Sequence, residues 1–135
     1  LINTNELFAD ALNRHYAVPA FNIYNMETLD AVINAARIAN SPVIIAVSES
    51  ALKYMTSDML IGMIRGAKIT PDDKIALHLD HGRNFDICRH AIEIGFSSVI
   101  CARKSAIIVS KRFSSSHRAF AARIYRIRFL TNDFG

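Results

Sequence analysis

The sequence lacks most of what marks secreted and membrane proteins. Its 135 residues include two cysteines and no tryptophan. Cys88 and Cys101 are too few for a disulfide framework and do not have the C-x-x-C spacing of redox motifs, so we expect a reducing compartment. No apolar run approaches the roughly 18 residues of a membrane-spanning helix, and the first residues do not form a signal peptide. We therefore predict a cytoplasmic protein without a membrane partner, and Leu1 in place of Met indicates a processed or partial chain.

Acidic side chains are nearly missing from the last part of the sequence. Residues 101–135 contain eight basic residues and a single acid, Asp133, and so carry a net charge of +7. Residues 1–100 contain eight basic and eleven acidic residues, which is a net charge of −3. The overall charge of +4 therefore comes from the last segment alone. With 51% hydrophobic residues, the whole composition is that of a globular domain.

Hydrophobic periodicity predicts an α/β fold for the first hundred residues. Short apolar runs alternate with segments that have apolar residues at helical spacing. The pattern predicts helices over 5–14, 26–39, from 56 or 57 to 67, and over 85–94, and strands over 17–21, 43–47, 75–79 and from 98 onward. Such alternation implies a parallel sheet, either an open doubly wound domain or part of a (β/α)₈ barrel, which when complete needs at least about 200 residues. The glycine-rich fingerprint of dinucleotide-binding domains does not follow the first strand.

The ends of the predicted strands carry polar residues, and active groups gather at these ends in parallel sheets. Asn22 ends the first strand, Ser48 the second, and the run 78–82 the third. In that run His78 and Asp80 share one side of the strand, whereas His81 joins them only if the strand breaks, which Gly82 permits. The spacing leaves two interpretations open. The residues hold a metal and carry a proton, or His78 is a hydrogen-bonded structural residue and Asp80 caps the next helix.

Five segments together resemble one enzyme family. Residues 16–22, 41–45, 48–51, 77–82 and 91–99 have the order and spacing seen in class II, metal-dependent ketose-bisphosphate aldolases, which include the fructose- and tagatose-bisphosphate enzymes. The resemblance covers residues 1–100 and implies that they form about the first four strands of a truncated (β/α)₈ TIM barrel. It also implies a lyase that reversibly joins dihydroxyacetone phosphate to glyceraldehyde 3-phosphate.

The resemblance assigns roles to four residues. Asp80 matches the proton-transfer acid/base of the family and His81 its first Zn²⁺ ligand, while Asn22 and Ser48 match residues near the substrate or its phosphate. His78 matches a supporting residue with no catalytic step. Chemistry agrees with a metal, because aldol cleavage needs either a lysine Schiff base or a cation as electron sink. The lysines of residues 1–100 fall on predicted helices or turns rather than at strand ends, and they are Lys53, Lys68 and Lys74.

The resemblance stops near Cys101. There the family continues with an Asp-Gly-Ser stretch, two more zinc histidines and glycine-rich phosphate loops, none of which follows in this sequence. We therefore divide the chain into residues 1–100, the aldolase-like part, and residues 101–135, an unrelated basic tail. We hypothesise that a reading-frame shift near Ile100 produced that tail. We expect negligible aldolase activity from the chain alone.

Two alternatives remain open beside the enzyme. In a binding protein, the arginines and aromatic residues of the tail would bind nucleic acid or another anion, but no nucleic-acid fold motif accompanies them, so nucleic acid is the less favoured partner. In a non-catalytic fragment, four strands would leave open sheet edges through which a half-barrel could form a homo-oligomer.

Overall fold

The structure, a computed structural model, describes residues 1–101 and the backbone of residues 106–109. The expectations for the rest of the basic tail lie outside the described residues. The helices are α1 (Thr4–Arg14), α2 (Met26–Ala39), α3 (Glu49–Met55), α4 (Ser57–Gly66) and α5 (Phe85–Ile94). The strands are β1 (Ala20–Asn22), β2 (Val43–Ser48), β3 (Ile75–Gly82), β4 (Ser98–Cys101) and β5 (Ala106–Val109), and a 3₁₀ turn spans Pro71–Asp73.

One sheet contains the five described strands in the order in which they occur along the chain. The first four run parallel to one another, and β5 pairs with β4 in the antiparallel direction. A doubly wound sheet reverses its strand order at a switch point, whereas a barrel adds each parallel strand beside the previous one. The predicted α/β fold is therefore confirmed, and the strand order agrees with the N-terminal part of a (β/α)₈ barrel.

The two faces of the sheet are covered differently. From residue 43 to 47 in β2 and from 75 to 79 in β3, the odd-numbered residues, such as Ile45 and Leu77, are buried in the main core with apolar residues of α2, α3, α4 and α5. Even-numbered residues point to the other face, where Ile44 and Ala76 pack with Leu7 of α1. This alternation follows from the period of two along a strand. A cavity opens on this second face, beside α1.

Side-chain caps explain why two helices begin where the sequence predicts. Asn25 accepts a hydrogen bond from the Thr28 amide at 2.9 Å and forms a capping box at the start of α2. Asn84 accepts from the Ile87 amide at 3.1 Å at the start of α5. Gly95, with φ of 112°, then ends α5 in the left-handed conformation that glycine adopts readily.

Four elements differ from the sequence prediction, and one of them is β5, which was not predicted. Strand β1 begins at Ala20 rather than at residue 17; Pro19 has no N–H, although its carbonyl accepts from the Ile44 amide at 2.9 Å. Strand β3 continues to Gly82 instead of ending at residue 79. Helix α3 was not predicted; Ser48 caps it by accepting a hydrogen bond from the Ala51 amide at 3.2 Å.

Candidate active site

The carboxyl ends of the strands bring the predicted polar residues to one edge of the sheet. Ser48 is the direct neighbour of Asp80 in the pairing of β2 with β3. Asn22 lies at the end of β1, opposite Ala46. A cavity of about 230 Å³ lies on the second face of the sheet, the one that carries Ile44. It is lined by Asn22, Asp80 and His78, together with Thr4, Phe8, Ala20, Ile44, Ala46 and Ser98. The structure therefore brings Asn22 and Asp80 to one cavity, and it places Ser48 at the same edge without contributing to that lining.

His81 departs from the regular path of β3. Its φ is 56°, in the left-handed region, and the pairing of β3 with β4 shifts between Leu79 and Gly82. The strand is therefore irregular at His81 but does not end there, which differs from the expected break, and the irregularity brings the imidazole beside Asp80. The side chain is 74% exposed, and its Nε2 lies 3.5 Å from Asp80 Oδ1, with the Asp80 side chain 30% exposed. The Asp80 carboxylate is therefore accessible and has the His81 imidazole beside it.

Gly82 serves packing rather than backbone freedom, which differs from the expectation that this glycine permits the break. The left-handed residue is His81, whereas a Cβ at position 82 would lie 2.6 Å from Cys88 Sγ. Burial, with a smaller contribution from Cys101, raises the pKa of the Cys88 thiol to about 11. The thiol is therefore protonated at neutral pH and acts as a small apolar group beneath the segment that carries His81.

His78 of β3 contacts β4 on the face of the sheet that lines the cavity. Its Nδ1 lies 2.8 Å from Ser98 Oγ on the neighbouring strand. Burial lowers the pKa of His78, against the opposing effect of the Asp80 carboxylate, so the ring is neutral at neutral pH. This bond agrees with the structural interpretation of His78. The other half of that interpretation is wrong, since Asn84 and not Asp80 caps α5.

The hydroxyl of Ser48 already has two neighbours. It accepts from the Ala51 amide at 3.2 Å and lies 3.0 Å from Ser50 Oγ. Ser50 belongs to the first turn of α3. The segment after β2 is therefore helical, and Ser48 ends the strand and caps the helix at once.

Sequence reasoning assigned no role to Glu49, although this residue connects two strand ends. Its side chain is 13% exposed, with Oε1 3.1 Å from Lys53 Nζ. Its Oε2 accepts a hydrogen bond from the Arg83 amide at 3.2 Å. The hydrogen bond from Lys53 and then that from the Arg83 amide lower the pKa of Glu49, which keeps the carboxylate ionised. The available signal was the position of this acid directly after a buried strand.

The residues of this edge do not by themselves fit a catalytic zinc ion. Such an ion takes about three protein ligands, whereas His81 and Asp80 supply one imidazole and one carboxylate. Within residues 1–101, no group of three or more histidine, cysteine or acidic side chains is placed to hold a metal. The lysines offer no substitute, because Lys53 pairs with Glu49 on α3 and Lys74 precedes β3 at the opposite edge.

Comparison with known proteins decides the family. The family model described as "Fructose-bisphosphate aldolase class-II" matches residues 2–105. The chain belongs to the class II fructose-bisphosphate aldolase family. The predicted resemblance is thereby confirmed, and so is the assignment of the fold as the N-terminal part of a TIM barrel.

Individual class II aldolase relatives agree over the same region. The fructose-bisphosphate aldolase of Treponema pallidum is 46% identical over an alignment of 105 residues that covers 74% of this chain and 32% of the relative. The Helicobacter pylori enzyme is 43% identical over 101 residues, covering 74% and 33% of the two chains. The crystal structure of the YdjI aldolase from Escherichia coli K12 superposes with a TM-score of 0.63 at 33% identity, over 75% of this chain and 39% of that one. The chain thus spans about a third of the length of the curated relatives it matches.

The family acts on sugar phosphates in carbohydrate metabolism. Among the described residues, no helix combines the length and the apolar character needed to cross a bilayer.

Proposed function

We propose that residues 1–101 supply the proton-transfer group and one zinc ligand of a class II aldolase site. The substrate would be fructose or tagatose bisphosphate, cleaved to dihydroxyacetone phosphate and glyceraldehyde 3-phosphate. The observation that supports this proposal is the pair at the end of β3: Asp80 is accessible at the cavity, and His81 leaves the strand path to lie beside it.

Asp80 has the properties that proton transfer requires. Aldol cleavage removes the proton from the hydroxyl on the carbon that becomes the aldehyde, and a carboxylate within hydrogen-bonding distance can accept it. The Asp80 side chain is 30% exposed, and its described ion-pair contact is the 3.5 Å approach to His81. It therefore keeps acceptor positions open toward the cavity. Asn22, on the neighbouring lining, offers an amide that can orient a polar substrate.

The 135-residue chain alone should have negligible aldolase activity. In this family, bound zinc supplies the electron sink at the ketone, and residues 1–101 provide only His81 as a histidine ligand. We assign residues 1–100 to the aldolase part and residues 101–135 to the basic tail, and we propose a reading-frame shift as the origin of the tail. Reading the gene in the other two frames beyond codon 100 should recover an Asp-Gly-Ser stretch and two zinc histidines; without such a frame the proposed origin fails.

A chimera tests the function directly. Residues 1–101 of this chain would replace the matching part of the Treponema pallidum enzyme, to which the chain is 46% identical. We expect the chimera to bind zinc and to cleave fructose 1,6-bisphosphate, tagatose 1,6-bisphosphate or both, with loss of activity on chelation. The unmodified 135-residue chain, assayed in parallel, should show no chelator-sensitive cleavage.

Matched histidine variants of the chimera test the ligand. His81→Gln should lower the zinc content and the activity together, because a ligand is removed. His90→Gln is the control, since His90 is exposed on α5 and its ring contacts Ser57 Oγ at 2.9 Å. A folded chimera with bound zinc but no activity, or a His81→Gln chimera with full zinc content, would contradict the proposal.

A further inference from the structure

Glu49 spans the gap between the end of β2 and the segment that follows β3. It is the first residue of α3, directly after the Ser48 cap. Its Oε2 accepts from the Arg83 amide at 3.2 Å and lies 3.5 Å from Arg83 Nε, while its Oε1 is 3.1 Å from Lys53 Nζ. The side chain is 13% exposed, compared with 76% for that of Arg83. A largely buried carboxylate thus holds a main-chain N–H of the neighbouring segment.

The segment that it holds carries backbone strain. His81 has a left-handed backbone with φ of 56°, which a residue with a Cβ adopts only at a cost. Such conformations persist when surrounding contacts over-determine them. The next residue, Gly82, packs against Cys88 with no space for a Cβ. The main-chain amide of the residue after it, Arg83, donates a hydrogen bond to Glu49.

We propose that Glu49 is a positioning residue for His81. By accepting the Arg83 N–H, its carboxylate fixes the chain two residues beyond His81 and thereby keeps the imidazole beside Asp80. The ion pair with Lys53 keeps the carboxylate directed toward that amide. The role of Glu49 in the active site rests on the proposed function, in which His81 is a zinc ligand. The restraint of the backbone by Glu49 does not depend on that function.

A purely structural role for Glu49 makes a different prediction. An acid in the first turn favours α3 through the helix dipole, and its loss would weaken the fold as a whole. A restraint on the Arg83 amide instead predicts a local change around residues 81–83. Hydrogen exchange, measured amide by amide, separates the two because local opening and global unfolding affect different sets of amides.

The test uses NMR spectroscopy on the 135-residue chain and three variants. In Glu49→Ala we expect the Arg83 amide to exchange about tenfold faster, as suits the loss of a hydrogen bond to a charged group. The Cα and Cβ shifts of His81 should move away from left-handed values. Glu49→Gln keeps an oxygen at the same position and should restore most of the protection. Arg83→Ala keeps the main-chain N–H and should leave both signals as they are.

The core amides of Leu77 and Leu79 identify the structural alternative. If Glu49→Ala raises their exchange by the same factor as that of Arg83, Glu49 only stabilises the fold and the inference is wrong. Unchanged His81 shifts in Glu49→Ala would overturn it as well. If Glu49→Ala does not fold, Glu49→Gln must retain protection of the Arg83 amide and Arg83→Ala must retain the His81 shifts; loss of either overturns the inference.

The failure of the proposed function gives a different result. An inactive chimera that carries the native residues would refute the function while leaving the exchange data unaffected. In an active chimera, Glu49→Ala should lower the zinc content and, with it, kcat by at least about tenfold, because a displaced His81 no longer holds the metal. An unchanged kcat would show that the restraint does not serve the site.

Discussion

Two aspartates at opposite edges of the same sheet have contrasting surroundings. Asp73, before β3, lies 2.9 Å and 3.1 Å from the Nε and a terminal nitrogen of Arg37, and it accepts from the Thr70 amide at 2.7 Å. Asp80, near the end of β3, approaches His81 Nε2 at 3.5 Å and is 30% exposed. One carboxylate is occupied by protein donors, and the other is accessible at a cavity.

The two carboxylates differ in how many protein donors hold them. The hydrogen bond from Arg37, followed by that from the Thr70 amide, holds the pKa of Asp73 well below its usual range, so this group does not exchange protons near neutral pH. Arg37 also donates to the Ala67 carbonyl at 3.0 Å, which ties α2 to the end of α4. In barrels of this kind, the amino-terminal edge contributes stability and the carboxyl-terminal edge contributes catalysis. If Asp80 carries the proposed proton transfer, the two aspartates follow that division.

The largest expected effect comes from exchanging the two aspartates for asparagine in the chimera. Asp80→Asn should lower kcat by about 10²- to 10⁴-fold, the usual contribution of a general acid or base, with little change in melting temperature. Asp73→Asn should lower the melting temperature and leave kcat within about twofold, because Asp73 lies at the other edge. Steady-state kinetics and thermal unfolding measure the two effects. A strong loss of kcat in Asp73→Asn would remove the distinction between the edges.

Sequence reasoning predicts the longer helices and the first residues of β2, β3 and β4 well, because their signals are local. Helices α2 and α5 begin at the predicted residues 26 and 85, and the apolar run after Pro42 forms β2. Helix α3 was missed because its seven residues are too few to show a clear apolar period and its cap, Ser48, also ends a strand.

The carboxyl edge was less accessible to sequence reasoning, because its geometry depends on tertiary contacts. The alternation of His78 and Asp80 along β3 was readable from a period of two. The left-handed backbone of His81 was not, because histidine adopts this conformation only occasionally even though it is enriched there. The contacts that accompany it, Gly82 against Cys88 and the Arg83 amide on Glu49, are tertiary. The bond from the Arg83 amide to Glu49 joins residues 34 positions apart, and no local pattern records such a pair.

The next effect concerns the packing beneath the carboxyl edge. In the 135-residue chain, Gly82→Ala should lower the free energy of unfolding by about 1–3 kcal/mol, because its Cβ would lie 2.6 Å from Cys88 Sγ and 3.1 Å from Leu79 Cδ2. The double variant Gly82→Ala with Cys88→Ala should be less destabilised than the sum of the single variants, since removing the sulfur makes room. Urea unfolding measures both. Additive effects would show that Gly82 does not depend on close contact with Cys88.

A smaller effect, of opposite sign, tests the strain at His81. His81→Gly should raise the free energy of unfolding by up to about 1 kcal/mol, because glycine adopts φ of 56° without the cost of a Cβ. Lys74→Gly is the matched control at the amino edge, where φ is 51°. Both variants should gain stability, but only His81→Gly should lower the zinc content of the chimera. Destabilisation by His81→Gly would mean that the imidazole contributes more to the fold than its backbone costs.

The smallest effect we expect is the pH dependence contributed by Asp73, because its ion pair with Arg37 is partly exposed and therefore screened. The folded pKa of Asp73 lies below its unfolded value, so its stabilising contribution is complete above about pH 4 and is lost as the pH falls further. Asp73→Asn should therefore make the loss of stability below about pH 4 shallower, whereas Asp72→Asn, at the adjacent exposed position, serves as the control for removing a charge. Urea midpoints measured against pH at low and high salt would show it. An identical acid profile for Asp73→Asn and the native chain would mean that this carboxylate does not hold the amino edge together, and that burial alone distinguishes the two edges.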